Sequence, residues 1–156
     1  MFRIKILLIG WLLATTSQAA VERETFEVFV TIPTADFFVL PVDPQLVQRE
    51  QQLAFNPVSA ELSPLHAPFD VKNASGGIGA RLDGEAYLSN GADRIDLRVT
   101  FNQVPLSQDQ TQVVSDLDAK PGKRVGLEIA AIKPPGDYPP GRYLGTVHMV
   151  FDALAP

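Results

Sequence analysis

RIDLRVTFN, residues 94–102, alternates apolar and polar side chains through most of its length. Ile95, Leu97, Val99 and Phe101 fall on one face of an extended chain, and Asp96, Arg98 and Thr100 on the other. One face suits a core and the other suits water, the signature of a half-buried antiparallel strand. Just before it stands Asn90-Gly91. Both residue types accept positive φ, so the pair predicts a hairpin back to a strand over residues 80–89.

The same pattern extends outward. Strands are expected at residues 24–32, 37–42, 51–55, 69–73, 125–132 and 143–151, most of them bounded by proline, glycine or asparagine. The 13 prolines are scattered and break most long helices. A helical turn is expected only within residues 43–52, which are rich in Gln and Glu. Short strands separated by turns predict an all-β sandwich. No internal repeat, low-complexity tract or composition shift marks a second domain.

Residues 1–20 read as a secretory signal peptide. Arg3 and Lys5 precede an apolar run over 6–14, and small and polar TTSQAA follows, with cleavage after Ala19 or Ala20. The apolar run is shorter than the roughly 20 residues of a membrane-spanning helix. About 136 residues then remain, enough for one domain with a core. The formal charge of −5 falls to near −7 once Arg3 and Lys5 are removed. Such an acidic domain does not suit nucleic acid. The chain has no cysteine, so its stability rests on packing or on a partner.

Catalytic constellations are not apparent. His66 and His148 sit in unrelated contexts with no ligand set around them, and neither accompanies a nucleophile motif. Asp116 and Asp118 lack the further oxygen donors of a calcium loop and read as a solvated turn. Asp93 and Asp96 flank Arg94 and read as ion-paired or solvated. The segment Ser75-Gly76-Gly77-Ile78-Gly79 lacks the lysine and helix of a phosphate loop and reads as a flexible turn. Asn73-Ala74-Ser75 matches a glycosylation sequon. No enzyme, metal site or cofactor is predicted.

The two ends of the mature chain carry a further signal. One reads VERETFEVFVTIPTAD from residue 21, and the other KPPGDYPPGRYLGTVHMVFDALAP. An alternating strand ending in proline, and a Pro/Gly turn leading into Tyr-Leu-Gly-Thr-Val-x-Met-Val-Phe, resemble the major pilins of the alternate chaperone–usher pathway. This is the α-class fimbrial family, typified by the colonisation-factor fimbriae of enterotoxigenic gut bacteria and the cable pili. The middle of the chain, roughly 45–120, matches in strand character rather than in motif. The first strand departs from the family's Thr, Val and Ala by carrying bulky Phe26 and Phe29 with Glu27 between them.

The resemblance implies an incomplete immunoglobulin-like β-sandwich, residues 34–156, lacking its final strand. A donor strand from a neighbouring subunit, residues 21–33, would complete it. A periplasmic chaperone fills the gap first, and at the outer-membrane usher the next copy's extension replaces it. A larger tip adhesin caps the cell-surface fimbria, and this chain would be the structural major subunit of its shaft. Phe26, Val28, Val30 and Ile32 are the expected donor side chains, four apolar groups against the lone Phe29 of the other face; which face enters the groove is left open. Tyr143, Val147, Met149 and Phe151 are expected along the acceptor edge and the chaperone-binding site. The alternative is a complete secreted sandwich, with residues 24–32 as its own first strand, acting as a ligand- or carbohydrate-binding module.

Overall fold

The computed structural model describes residues 35–156. The elements, in order, are β1 (Phe37–Pro41), α1 (Gln45–Gln48), β2 (Phe55–Asn56), β3 (Glu61–Leu62), β4 (Leu65–Asn73), β5 (Ile78–Leu82), β6 (Tyr87–Ser89), β7 (Arg94–Phe101), β8 (Val104–Pro105), β9 (Thr111–Val114), α2 (Asp116–Ala119), β10 (Lys123–Ala131) and β11 (Met149–Ala153). One sheet runs β1-β4-β10-β7-β6, with β8 attached to β7. The second runs β11-β5-β9, and β2 and β3 form a small ribbon. Every pairing is antiparallel. The result is the all-β sandwich that the alternation predicts, with the immunoglobulin-like character that the resemblance implies.

Register explains why the core is continuous. Val125 lies opposite Phe69, Leu127 between Ala67 and Phe101, and Ile129 between Leu65 and Val99. Each row therefore presents side chains of one face to the second sheet. That sheet answers with Ile78, Ala80 and Leu82 of β5 and Val113 and Val114 of β9, all buried. Phe101 is fully buried at the centre. Its ring centroid lies 5.4 Å from Phe69 and 4.8 Å from Phe151, so three aromatics join β4, β7 and β11 across the sandwich.

The outer faces are polar. Arg124 donates to both carboxylate oxygens of Asp70, at 2.8 and 3.0 Å, and holds its pKa below the usual carboxylate value. Arg94 bonds Asp96 at 2.6 Å and Glu85 at 2.9 Å, with its guanidinium 4.0 Å from the Tyr87 ring centroid. Being exposed, these pairs contribute little to stability. The hairpin at Asn90-Gly91 joins β6 to β7; Gly91 takes φ +94°, and the Asn90 side-chain oxygen accepts from the amides of Ala92 and Asp93. Asp116 and Asp118 lie in the single turn of α2, capped by Ser115, and Asp118 pairs with Lys123 at 3.0 Å.

Several expected boundaries move. The strand over 80–89 is two strands in different sheets, parted at Gly84, which takes φ +106°. Only Phe55 of the 51–55 stretch is extended, in the β2–β3 ribbon. The 69–73 strand begins earlier, at Leu65. The 143–151 strand is corrected most: β11 begins at Met149. Leu144 instead bridges Ser89 in the first sheet, with backbone bonds of 2.9 and 3.0 Å, whereas Met149 pairs with Leu82 in the second. Residues 145–148 cross between the sheets, and one strand cannot belong to both. Gly145 makes the crossing possible, because a Cβ there would collide with the carbonyl oxygen of Tyr87.

Candidate functional site

The second sheet is three strands wide and the first is wider, so the two cannot cover each other fully. Two asparagines fix where the smaller sheet sits. Asn102, just past β7, donates to the carbonyl of Val113 in β9 at 2.6 Å. Asn73, at the end of β4, donates to the carbonyl of Leu154, just past β11, at 3.2 Å. The second sheet is thus pinned over the strip from β4 to β7, and β1 lies beyond it. Among the described residues, no strand pairs with the outer edge of β11.

Burial follows this geometry. Val71 and Ala80, one strand inward from the two edges, are 1% and 0% exposed. Val39 pairs with Val71 and shares its inward face, yet it is only half-buried, as is Phe37 beside it. On the facing edge, Phe151 pairs with Ala80 and Met149 with Leu82, and both are also half-buried. All four pack against the core from the edge strands β1 and β11, and the apolar strip they form, here termed the trough, is only partly covered among the described residues.

The predicted edge residues divide. Met149 and Phe151 lie on β11 and face inward. Val147 sits in the crossing segment, half-buried against the core. Tyr143 stands elsewhere: its hydroxyl donates to the carbonyl of Pro139 at 2.8 Å, and loss of solvent raises its pKa, with Asp93 adding to the effect. It lines an open cleft of about 960 Å³ beside β6, together with Phe55, Tyr138 and Leu144. The cleft is lined by residues 50–53, 55 and 138–144 with Leu62, Leu88 and Ile95, and none of its lining lies on β1 or β11. Phe26, Val28, Val30 and Ile32 lie outside the described residues.

Sequence reasoning missed Phe37 and Val39 as trough residues. FFVLP is apolar throughout, so it has no alternation to show which side chains turn inward. It also missed the role of Asn73. This side chain is 2% exposed, donates to Gly77 at 2.6 Å as well as to Leu154, and accepts from the amide of Ser75 at 3.1 Å. The sequon is therefore a buried clasp with its amide already bonded. The glycine run beside it is not a flexible turn: Gly76, Gly77 and Gly79 are buried, and a Cβ on Gly76 would strike the carbonyl oxygen of Leu154. Asn73→Ala is expected to remove the bonds to the Gly77 and Leu154 carbonyls and to the Ser75 amide, with Gly77 still accepting from the Leu154 amide at 2.9 Å, and to cost about 1–3 kcal/mol, read as a lower urea midpoint. An unchanged midpoint would mean that water replaces the clasp freely.

His66 and His148 are both exposed; His66 lies 3.7 Å from Glu128. Among the described residues, no group of three His, Cys, Asp or Glu side chains could hold a metal.

A two-sheet sandwich with one unpaired edge is a fold that many functions share. Comparison with known families decides between them. The model of the CS1 type fimbrial major subunit family matches residues 22–152. The chain belongs to that family. A CS1-type subunit is a structural protein of cell-surface fimbriae, and the family is one of pilins rather than enzymes. Among solved structures, the CooA pilin subunit from enterotoxigenic Escherichia coli resembles this subunit with a TM-score of 0.55 and 22% identity, over 64% of this chain and 75% of that one. At that identity the likeness speaks for the fold. A search of curated proteins finds no match. The resemblance carried by the two ends of the sequence is to the same kind of major pilin.

Proposed function

We propose that this pilin polymerises by donor-strand exchange, with residues 21–33 of one copy completing the sandwich of the next along the outer edge of β11. The observation that carries the reading is that edge: no described strand pairs with it, and its inward side chains, Met149 and Phe151, are half-buried where their neighbours in β5 are buried. An added strand supplies backbone hydrogen bonds to the edge and alternate side chains to the trough. Burying Phe26, Val28, Val30 and Ile32 there contributes about 1.5–3 kcal/mol each, roughly 6–12 in total before ordering costs. That is comparable to the whole stability of a domain, about 5–15 kcal/mol.

In this reading residues 1–20 direct export, 21–33 are the donor extension and 34–156 the acceptor domain. A periplasmic chaperone covers the trough before assembly, since an open edge beside uncovered apolar side chains invites aggregation. An outer-membrane usher exchanges it for the next subunit, and a larger adhesin stands at the tip. The contrasting reading, a complete sandwich that binds a ligand, would pair residues 24–32 within their own domain.

A thermal melt separates the two. The domain lacking residues 21–33 is expected to melt at a markedly higher temperature when a peptide of residues 21–33 is added. The shift should vanish when Val28 and Val30 of the peptide become Asp. A domain already stable that ignores the peptide would support the complete sandwich.

A further inference from the structure

The open cleft of about 960 Å³ beside β6 has no part in the assembly proposed above, and its chemistry is particular. It lies between two stretches of chain outside helices and strands, residues 50–53 and 138–143. Among the described residues, the main-chain groups of Gln51, Gln52 and Leu53 have no hydrogen-bond partner in the domain. They are left to solvent or to a ligand. The most enclosed lining is aliphatic: Ile95 is buried, and Leu53, Leu62 and Leu88 are half-buried. Phe55 and Tyr138 meet edge to face at 6.3 Å, one from each side, and so brace the two stretches against each other. The Tyr143 bond to Pro139 and the bridge from Leu144 to Ser89 fix the second stretch further. Pro139 and Pro140 have φ set by their rings. The cleft is therefore formed before any ligand arrives, which lowers the cost of binding.

Its charge is one-sided. Glu50 is part of the lining, and Arg142, the one cation there, stands 3.9 Å from it with both side chains exposed. Loss of solvent raises the pKa of Tyr138 and of Tyr143, and Glu61 adds to the rise at the first and Asp93 at the second. Three carboxylates thus surround the cleft against one guanidinium. Both phenols stay protonated at neutral pH, and the Tyr138 hydroxyl, which has no hydrogen-bond partner among the described residues, is a free donor. A fitting ligand is apolar along its length, rich in acceptors and positively charged. A polyproline II segment meets the first two demands, since it is extended, its carbonyls are unpaired and its rings pack on aromatic ones. It is also stiff in advance, so little order is lost on docking. Arginine or lysine among the prolines answers the carboxylates. A neutral glycan leaves that charge unmatched, and an acidic one is repelled by it.

We propose that this cleft binds a basic, proline-rich peptide segment in the polyproline II conformation. Its prolines lie against Phe55, Tyr138 and Tyr143. The free amides of residues 51–53 and the Tyr138 hydroxyl donate to its carbonyls, and a flanking arginine or lysine sits by Glu50 and Glu61. The chain's own proline-rich stretch, 133–141, supplies one wall of the cleft, so the ligand belongs to another protein. One cleft on each subunit becomes a row of clefts along a fimbria. A partner with several such segments engages many of them at once, and its avidity then exceeds any single contact. This binding is separate from assembly and does not depend on how strands are exchanged.

Fibres of the full chain, titrated against a fluorescent synthetic peptide of proline pairs alternating with arginine, test this by anisotropy. Saturable binding is expected, weakened about tenfold or more by Tyr138→Ala, as befits an aromatic anchor. Glu50→Gln together with Glu61→Gln changes only exposed side chains, so the fold is kept, and it is expected to weaken binding and flatten its salt dependence. Asp109→Asn, an exposed carboxylate outside the lining, should change neither. A peptide with glycine and serine in place of proline should bind far more weakly. Absence of saturable binding would overturn the proposal. Equal binding of the glycine and serine peptide would overturn it too, by reducing the effect to charge. So would binding that ignores both Tyr138→Ala and the double carboxylate variant, which would put the site elsewhere. A glycan array probed with the same fibres covers the other class of ligand: capture of a neutral glycan that Tyr138→Ala abolishes, with the peptide unbound, would assign the cleft to sugar and overturn the proposal.

Discussion

A subunit carrying Val30→Asp is expected to accumulate in the periplasm with its chaperone and to be missing from fibres. Val30 sits near the middle of the proposed donor set, between Val28 and Ile32 in the alternation. Replacing it removes about 1.5–3 kcal/mol of apolar burial. It also brings an unpaired carboxylate into a trough lined by Val39, Met149 and Phe151, and burying such a charge costs more than the methyl groups ever contributed. Each 1.4 kcal/mol is a factor of ten in occupancy, so a loss of several kcal/mol cuts donor binding by about a thousandfold or more. On the proposed reading the acceptor domain itself is untouched and still takes the chaperone's strand. Electron microscopy for fibres, with a periplasmic assay for subunit, reads both halves of the expectation. Fibres at normal density from this variant would rule out Val30 as an inward donor residue.

Phe101→Ala should damage the acceptor rather than the donor. Phe101 is 0% exposed and holds Phe69 on one side and Phe151 on the other. Truncating a buried phenylalanine costs about 3–5 kcal/mol, because the cavity closes only in part. That is a large share of the 5–15 kcal/mol of an ordinary domain. The loss reaches the trough as well, since Phe151 leans on the ring that is removed. A domain complemented with the 21–33 peptide is expected to show a much lower urea midpoint and weaker peptide affinity together. A fall in midpoint with affinity intact would mean that β11 holds its place without the aromatic contact.

How legible the molecule was in sequence depended on how local each feature is. β7 and its hairpin could be read because alternation and Asn90-Gly91 are properties of adjacent residues. β10 likewise came within two residues of its observed limits, 123–131 against 125–132 expected. The crossing at 145–148 could not be read, since apolar character at Leu144 and Met149 says nothing about which sheet each will join. β9 escaped notice because Thr111 and Gln112 break its pattern and Val113 and Val114 are both buried. Of the residues expected along the acceptor edge, Met149 and Phe151 lie on β11 and Tyr143 does not, because its strand begins later than expected, and the inward face of Val39 needed the β1–β4 register. Asn73 was read only as part of a sequon match because its partner, Leu154, is 81 residues away.

That clasp has a consequence in time. A growing chain presents β4, β5 and β7 well before β11, so Phe101 and Ala80 wait without their cover until residue 151 arrives and Leu154 reaches Asn73. Contacts this far apart in sequence form slowly, and half-made sandwiches with bare apolar surface are the species that clump. The stage before β11 is seated on β5 is therefore the one at which this subunit is expected to be most vulnerable to proteases and to other copies of itself.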